Sequence, residues 1–319
     1  MVDNDFEGKN ILILLDKDSG MTSFACDSKI KRLLHTKKVG HLGTLDPFAT
    51  GLLPLCVGKG LRYIRFADDY DKTYECVCVF GKTTDTLDIE GEVTGGRMPT
   101  SDELKELIES DYKIVRDAFE KMSKITSQVP PKYSAKKING KKAYELAREG
   151  KEVELKPHPV KIYSIDIRSI EKVDGTFEVD FVVSCSKGTY IRTICDDVGR
   201  EVGFGAYAKS LRRIKCGPFD IRDSYRLDDV EKMLEGEDLS FIKDASSIAD
   251  YMPELKLNEV QTSMVRCGKK LDVRPFKEVT SLYAADTFYK ATFNGEVIAI
   301  MYVSEEDGYE RLRIERMLA

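Results

Sequence analysis

The chain has 319 residues, 42% hydrophobic and 33% charged, a globular composition long enough for about two domains. No apolar run approaches the roughly 20 residues that span a bilayer, and Ile11–Leu15, closed by Asp16, is too short for a signal-peptide core, so a cytoplasmic protein is expected. The net charge of −5 argues against a uniformly basic surface, yet Ser28–Phe66 carries eight Lys or Arg against Asp46 alone and Lys121–Lys151 nine against Glu145 and Glu149, balanced by twelve acids and five bases in Asp220–Val260. The two basic segments are candidate phosphate-facing surfaces, and each reads equally well as a solvated helix face.

In chain order, Asn10–Asp16 predicts a strand and Ser19-Gly20 a turn. Thr22 or Ser23 can cap a helix to about Leu34, with Phe24, Ile30, Leu33 and Leu34 as its apolar stripe. Leu52, Leu53, Leu55 and Val57 read as a buried strand, followed by a short helix near Leu61–Ala67 and a strong strand over Lys72–Gly81. Helical spacing recurs at Leu104–Ile108, Ile114–Met122 and Lys141–Glu149, then strands at Val160–Ile170 and Thr176–Ser186 and a helix over Thr189–Val202. An acidic stretch, Asp228–Asp250, predicts a helical connector. From about Tyr251 the pattern changes to short strands, Ala291–Phe293, Val297–Val303 and Arg311–Ile314, with a hairpin turn at Asn294-Gly295. Strands and helices interleave without a repeating βαβ period, which predicts an α+β fold with a mixed or antiparallel sheet.

The eight cysteines are scattered among apolar neighbours without Cys-x-x-Cys, and His35, His41 and His158 are not clustered with them, so buried reduced thiols are expected and no metal site. Neither a phosphate-cradling Gly-Lys-Ser loop nor a dinucleotide fingerprint occurs, and no cofactor is expected.

Chemistry concentrates in Gly40-His41-Leu42-Gly43-Thr44-Leu45-Asp46-Pro47-Phe48-Ala49-Thr50-Gly51-Leu52-Leu53-Pro54. This run places one carboxylate, biased to extended backbone by Pro47, at the lip of a core strand, where a nucleophile or general base can sit. An Asp-Pro turn with an Asx-type bond is the plainer reading of the same residues. Five other segments accompany it: Asp16-Lys17-Asp18-Ser19-Gly20-Met21-Thr22-Ser23; Lys72-Thr73-Tyr74; Thr84-Asp85-Thr86-Leu87-Asp88 with Gly91; Pro130-Pro131-Lys132-Tyr133-Ser134-Ala135-Lys136-Lys137; and Ser186-Lys187-Gly188-Thr189-Tyr190-Ile191-Arg192, followed by Leu211-Arg212-Arg213.

In this order, from about Leu12 to Lys215, these motifs resemble those of the TruB-type tRNA pseudouridine synthases. One departure is Asp18, where the family usually has Pro, which puts the rigidity of that turn in question. The resemblance implies a pseudouridine synthase catalytic domain over about 1–250, with an RNA-binding insertion near 100–155. It also implies isomerisation of uridine-55 in the T-arm loop of tRNA, without guide RNA, by a monomer. Asp46 is then the catalytic carboxylate; it can take a ribose proton or attack covalently, and the residues leave both open. A carboxylate kept ionised in an apolar pocket needs a cation, and family analogy makes Arg192 that partner. Tyr74 becomes a stacking platform for the extruded uracil, Tyr190 a pocket wall whose hydroxyl donates or relays a proton, and Leu211 the apolar wall. His41 takes part in opening the RNA loop, Lys17 contacts phosphate or pairs with a carboxylate, and Lys132, Lys136 and Lys137, with Lys141 and Lys142, track the RNA backbone. The strands over 251–319, with Gly268-Lys269-Lys270-Leu271, resemble a PUA domain, a small β-barrel that accompanies RNA-modifying enzymes. A tRNA-folding chaperone and a guide-dependent synthase are the rival readings, and a chaperone role alongside catalysis stays open.

Overall fold

The computed structural model describes residues 6–134, 137–138, 141–142, 155–284, 286–306 and 308–318. Its first strand, β1 (Asn10–Lys17), explains the apolar run at its centre. Ile11, Ile13 and Leu15 enter one core while Leu12 and Leu14 enter another, so the strand is buried on both faces and reads as continuous hydrophobic sequence. Thr22 caps α1 (Ser23–Leu33) by accepting from Ala25 N–H at 3.0 Å. Then come β2 (Val39–His41), β3 (Thr50–Gly58), a 3-10 helix (Lys59–Ala67), β4 (Lys72–Phe80), β5 (Thr83–Thr84) and β6 (Val93–Gly95). Two helices follow, α2 (Ser101–Glu109), with a Thr100–Glu103 capping box, and α3 (Lys113–Ser123). The short pieces β7 (Ser127–Gln128), β8 (Lys137–Ile138), β9 (Lys141–Lys142) and β10 (His158–Pro159) precede the long hairpin β11 (Ile162–Val173) and β12 (Thr176–Cys185).

Beyond the hairpin lie α4 (Ile191–Val202), β13 (Ala206–Cys216), β14 (Phe219–Asp220), β15 (Tyr225–Arg226), α5 (Leu227–Glu235) and β16 (Ile242–Asp244). The main sheet runs β11-β12-β4-β13-β3-β1-β15, with β2 on β3, β14 on β13 and β16 on β1. Two pairings, β13 with β3 and β1 with β15, are parallel and the others antiparallel, which is the mixed sheet expected. Gly51 permits the parallel β3–β13 contact: at φ +101° it stands opposite Arg213, and a Cβ there would lie 2.4 Å from the Arg213 carbonyl oxygen. One face of the sheet is packed by Ile30 of α1, Val115 and Phe119 of α3, and Ile194 and Val198 of α4.

A second, five-stranded sheet runs β17 (Glu254–Lys256), β19 (Phe288–Phe293), β20 (Glu296–Glu306), β21 (Tyr309–Met317) and β18 (Leu271–Asp272). Among the described residues it ends at β17 and β18 without closing into a barrel. It sits against the other face of the main sheet, where Ile300 and Leu318 share a core with Leu12, Leu52, Phe66 and Ile248. Arg62 donates to the Leu318 carbonyl at 3.2 Å, and Arg65 pairs with Glu315.

Several expectations change. Ala206–Cys216, absent from the predicted elements, is a central strand of the sheet. Asp228–Asp250 is no helical connector: α5 ends at Glu235, and β16 pairs antiparallel with β1. Phe24 leaves the apolar stripe of α1 and is 59% exposed. Lys141–Lys142 is extended rather than helical, and 143–149 lies outside the described residues. Seven cysteines are buried and free, whereas Cys267 is exposed. Among the described residues no helix is long and apolar enough to cross a membrane.

Candidate active site

Asp46 lies in the loop joining β2 to β3, and that loop is held nearly residue by residue. Ser23 at the start of α1 donates to the Leu45 carbonyl at 3.1 Å and accepts from Leu45 N–H at 2.9 Å. The Pro47 carbonyl accepts from Lys17 Nζ at 3.1 Å and from Gly20 N–H at 2.9 Å, and the Phe48 carbonyl accepts from Ser19 Oγ at 3.0 Å. The Lys-x-Ser-Gly-x-Thr-Ser segment is therefore a clamp on the Asp46 loop.

Lys17 is accordingly not at the surface. It is 1% exposed, and its ammonium donates to the carbonyls of Asp18, Met21 and Pro47 at 2.9, 2.7 and 3.1 Å. Burial lowers its pKa, opposed by neighbouring anionic groups that include Asp46. Asp18, where the related motif has Pro, instead accepts from Arg226 Nη2 at 2.7 Å, so this turn is tied by an ion pair across to β15.

Arg192, in the first turn of α4, reaches Asp46 as expected: Nε donates to Oδ2 at 2.9 Å. The Asp46 side chain is 35% exposed while that of Arg192 is 4% exposed, so a buried guanidinium presents a carboxylate to solvent. The remaining N–H groups of Arg192 serve the Thr86 carbonyl, the Tyr133 carbonyl at 3.0 Å and the buried Asp88 carboxylate at 3.3 Å. Asp88 also accepts from Thr86 Oγ1 at 2.6 Å and Glu90 N–H at 3.1 Å. Burial pushes its carboxyl pKa up, and the Thr86 hydroxyl and Arg192 pull it back. Asp88 was legible within its motif but not as the second carboxylate sharing Arg192. Asp46 is bound side chain to side chain by Arg192, not folded into an Asx turn.

Tyr190 is the N-cap residue of α4, two positions before Arg192. Burial raises its phenol pKa, as does the nearby Asp46 charge, while Ser134 and Arg192 lower it. The buried Ser134 Oγ lies beside that phenol without a hydrogen bond of good geometry. Tyr74 is half-buried in β4 opposite Arg213 of β13, and burial pushes its phenol up to about 12 against the Arg213 charge. Arg213, 1% exposed, donates to the Leu52 carbonyl at 2.7 Å and the Gly43 carbonyl at 2.9 Å, tying the site loop to the sheet from its other end. Leu211, 6% exposed, joins the core that contains Leu45 and Phe48.

His41, at the end of β2, is held on both ring nitrogens: Nδ1 lies 2.9 Å from Asp27 Oδ2 and Nε2 3.1 Å from Thr44 Oγ1. The exposed Phe24 ring meets it edge-on at 5.3 Å. Asp27 is buried on α1 and carried no signal in the sequence beyond being an acid in a helix. Lys132 is exposed, Lys137 lies in the two-residue strand β8, and Lys136 lies outside the described residues.

The family assignment follows from comparison with known proteins. The model of the TruB family pseudouridylate synthase N-terminal domain matches residues 31–191, and that of the tRNA pseudouridylate synthase B C-terminal domain matches 192–246. The chain belongs to the TruB family. This TruB-family chain is 35% identical over 301 residues to the tRNA pseudouridine synthase B of Syntrophus aciditrophicus (strain SB), covering 92% of each. It is 36% identical over 296 residues to that of Bacillus licheniformis, covering 92% of this chain and 93% of the relative. Among solved structures, a chain of a Cbf5-Nop10-Gar1 complex superposes with a TM-score of 0.70 at 20% identity, over 98% of this chain and 86% of the other. A chain from an H/ACA RNP bound to a substrate RNA containing 2'-deoxyuridine gives 0.68 at 19%, over 99% and 91%. These two likenesses concern the fold alone. The enzyme is thus a pseudouridylate synthase, an isomerase, with the mixed α+β fold of that group.

Proposed function

We propose that this enzyme converts uridine-55 in the T-arm loop of tRNA to pseudouridine, acting on tRNA alone. In the reaction the bond from ribose C1′ to uracil N1 breaks, the ring turns, a C1′–C5 bond forms, and the C5 proton is lost as N1 gains one. Atoms and electrons balance without cofactor or co-substrate. The observation that carries the proposal is the Asp46–Arg192 pair, a partly exposed carboxylate oriented by a buried guanidinium. Asp46 supplies the carboxylate at the reacting sugar and base, and Arg192 fixes its orientation through the Nε–Oδ2 bond. Tyr74 stacks on the uracil after it leaves its stack in the loop, Tyr190 carries a proton, and Leu211 closes the apolar wall. His41, pinned by Asp27, stands where the nucleotide leaves the loop. Lys132, Lys136 and Lys137 follow the phosphates, and the unit from about 251 to 319 acts as a PUA-like RNA-binding module beside a catalytic unit of 1–250. Lys17 keeps a supporting role, since its ammonium is spent on three carbonyls.

The relatives named tRNA pseudouridine synthase B support tRNA as the substrate class. The test is incubation of the purified chain with an unmodified tRNA transcript, followed by carbodiimide-based mapping. A single stop in the T loop is expected. Modification that appears only when a guide RNA and partner proteins are added would contradict the proposal.

A further inference from the structure

Tyr190 begins α4 without a side-chain cap of its own. Its backbone is held instead from a distant strand. Gln128, 3% exposed on β7, accepts from Tyr190 N–H through Oε1 at 2.8 Å and donates from Nε2 to the Tyr190 carbonyl at 3.1 Å. The same carbonyl receives the opening helical N–H groups of Thr193 at 3.2 Å and Ile194 at 3.3 Å. One carboxamide therefore fixes the peptide planes on both sides of a single residue, and with them the direction of its Cα–Cβ bond.

Gln128 is itself braced. It pairs with His158 in the β7–β10 ladder, and the His158 ring meets the Tyr190 ring edge-on at 6.0 Å while Nε2 bonds the Gly188 carbonyl at 2.9 Å. A few residues on, Tyr133 gives its carbonyl to Arg192 and the buried Ser134 lies beside the Tyr190 phenol. The segment 128–134 thus borders both site residues at the start of α4. A structural cap needs one bond to the orphan N–H, whereas Gln128 makes a matched pair of bonds to the residue that carries the phenol.

We propose that Gln128 is a positioning residue for Tyr190, setting the backbone from which the phenol reaches the reacting uracil. The proposal rests on the reading that Tyr190 takes part in the chemistry. A phenol oxygen stands roughly 6.5 Å from its Cα, so a tilt of about 10° moves it by about 1 Å, and a displacement of that size costs up to about a hundred-fold in rate.

The test compares Gln128→Met with the unsubstituted chain on unmodified tRNA transcript, measuring the single-turnover rate and the tRNA Kd. Methionine keeps the length and volume of the side chain and removes both hydrogen bonds. The expected result is a rate lowered roughly 10- to 100-fold with Kd unchanged. In a Tyr190→Phe background the same substitution should cause no further loss, as expected for a residue that acts through the phenol. Full rate in folded Gln128→Met overturns the proposal, and so does an equal fold-loss in both backgrounds. Should Gln128→Met fail to fold, Gln128→Glu keeps the acceptor for Tyr190 N–H and loses the donor; a reduced rate at unchanged Kd is expected, and full rate overturns the proposal. Full rate in Tyr190→Phe alone removes the reading beneath it, a result distinct from a silent Gln128→Met beside a damaged Tyr190→Phe.

Discussion

Arg192 holds two carboxylates that differ in burial, and replacing it separates their contributions. In Arg192→Met the apolar stem is kept, but Asp88, with its side chain 7% exposed, loses its cation, and the carbonyls of Thr86 and Tyr133 lose a donor. Breaking a buried ion pair costs about 3–5 kcal/mol, and each orphaned carbonyl adds about 1–3 kcal/mol before water reaches it. Asp88 limits the total by taking up a proton, because burial has already raised its pKa and Arg192 no longer opposes the shift. The expected loss is about 4–6 kcal/mol, a fall in Tm of roughly 8–12 °C at about 2 °C per kcal/mol for a chain of this size. Asp46→Asn removes the other carboxylate, which is 35% exposed and retains an amide oxygen for Arg192 Nε, so its cost stays within about 1 kcal/mol. Both variants should be inactive in pseudouridine formation. Thermal unfolding followed by circular dichroism measures the difference. Equal Tm values for the two variants would refute the division of labour drawn for Arg192, as would an Arg192→Met protein as stable as the natural chain.

Asp27→Ala removes the Nδ1 partner of His41, leaving the ring held by Thr44 alone, and should weaken tRNA binding roughly 5- to 30-fold, the loss of about 1–2 kcal/mol, with little change in the rate on bound tRNA; Asp27→Asn, which keeps an acceptor for Nδ1–H, should retain most of the affinity. A filter-binding titration with both variants at equal affinity would count against this. Tyr74→Ala should lose the stacking contribution of about 1–3 kcal/mol while Tyr74→Phe keeps it, a contrast read from the Kd for tRNA. Burial raises the phenol pKa values of Tyr63, Tyr70 and Tyr74 above the ordinary 10.0, to about 12 for Tyr74. The folded state then keeps protons that the unfolded chain releases, so the stability from these groups is complete below pH 10 and is lost as pH rises above it, through about 12 in the case of Tyr74. Spectrophotometric titration should show a set of tyrosinates that appears only with unfolding; ionisation of all 15 tyrosines near pH 10 in the folded chain would contradict it.

The parts of the fold legible in the sequence are those whose burial follows a local period. Ile11–Leu15 and Lys72–Phe80 are apolar where the sheet is buried, and Thr22 announces α1 as a side-chain cap. The strand Ala206–Cys216 was hidden because Lys209, Arg212, Arg213 and Lys215 interrupt its alternation. Its burial depends on partners remote in sequence: Arg213 is buried because the Leu52 and Gly43 carbonyls meet its guanidinium, and Arg212 folds back onto the Asp16 carboxylate at 3.0 and 2.6 Å. The same limit applies at the site. Asp46, Tyr74, Tyr190 and Arg192 stand in ordered motifs, whereas Lys17 reads as a free cation until Met21 and Pro47 are brought to it. Asp27 and Gln128 act only across 14 and 62 residues of chain, on His41 and Tyr190, and no spacing rule links such positions.

Side-by-side carbodiimide mapping with natural and Asp46→Asn chains, at matched occupancy of bound tRNA, shows whether the Asp46 carboxylate carries out the isomerisation of a T-loop uridine. One T-loop stop is expected with the natural chain and none with Asp46→Asn, although both bind tRNA equally. Measurable pseudouridine formed by folded Asp46→Asn would contradict that role of the carboxylate.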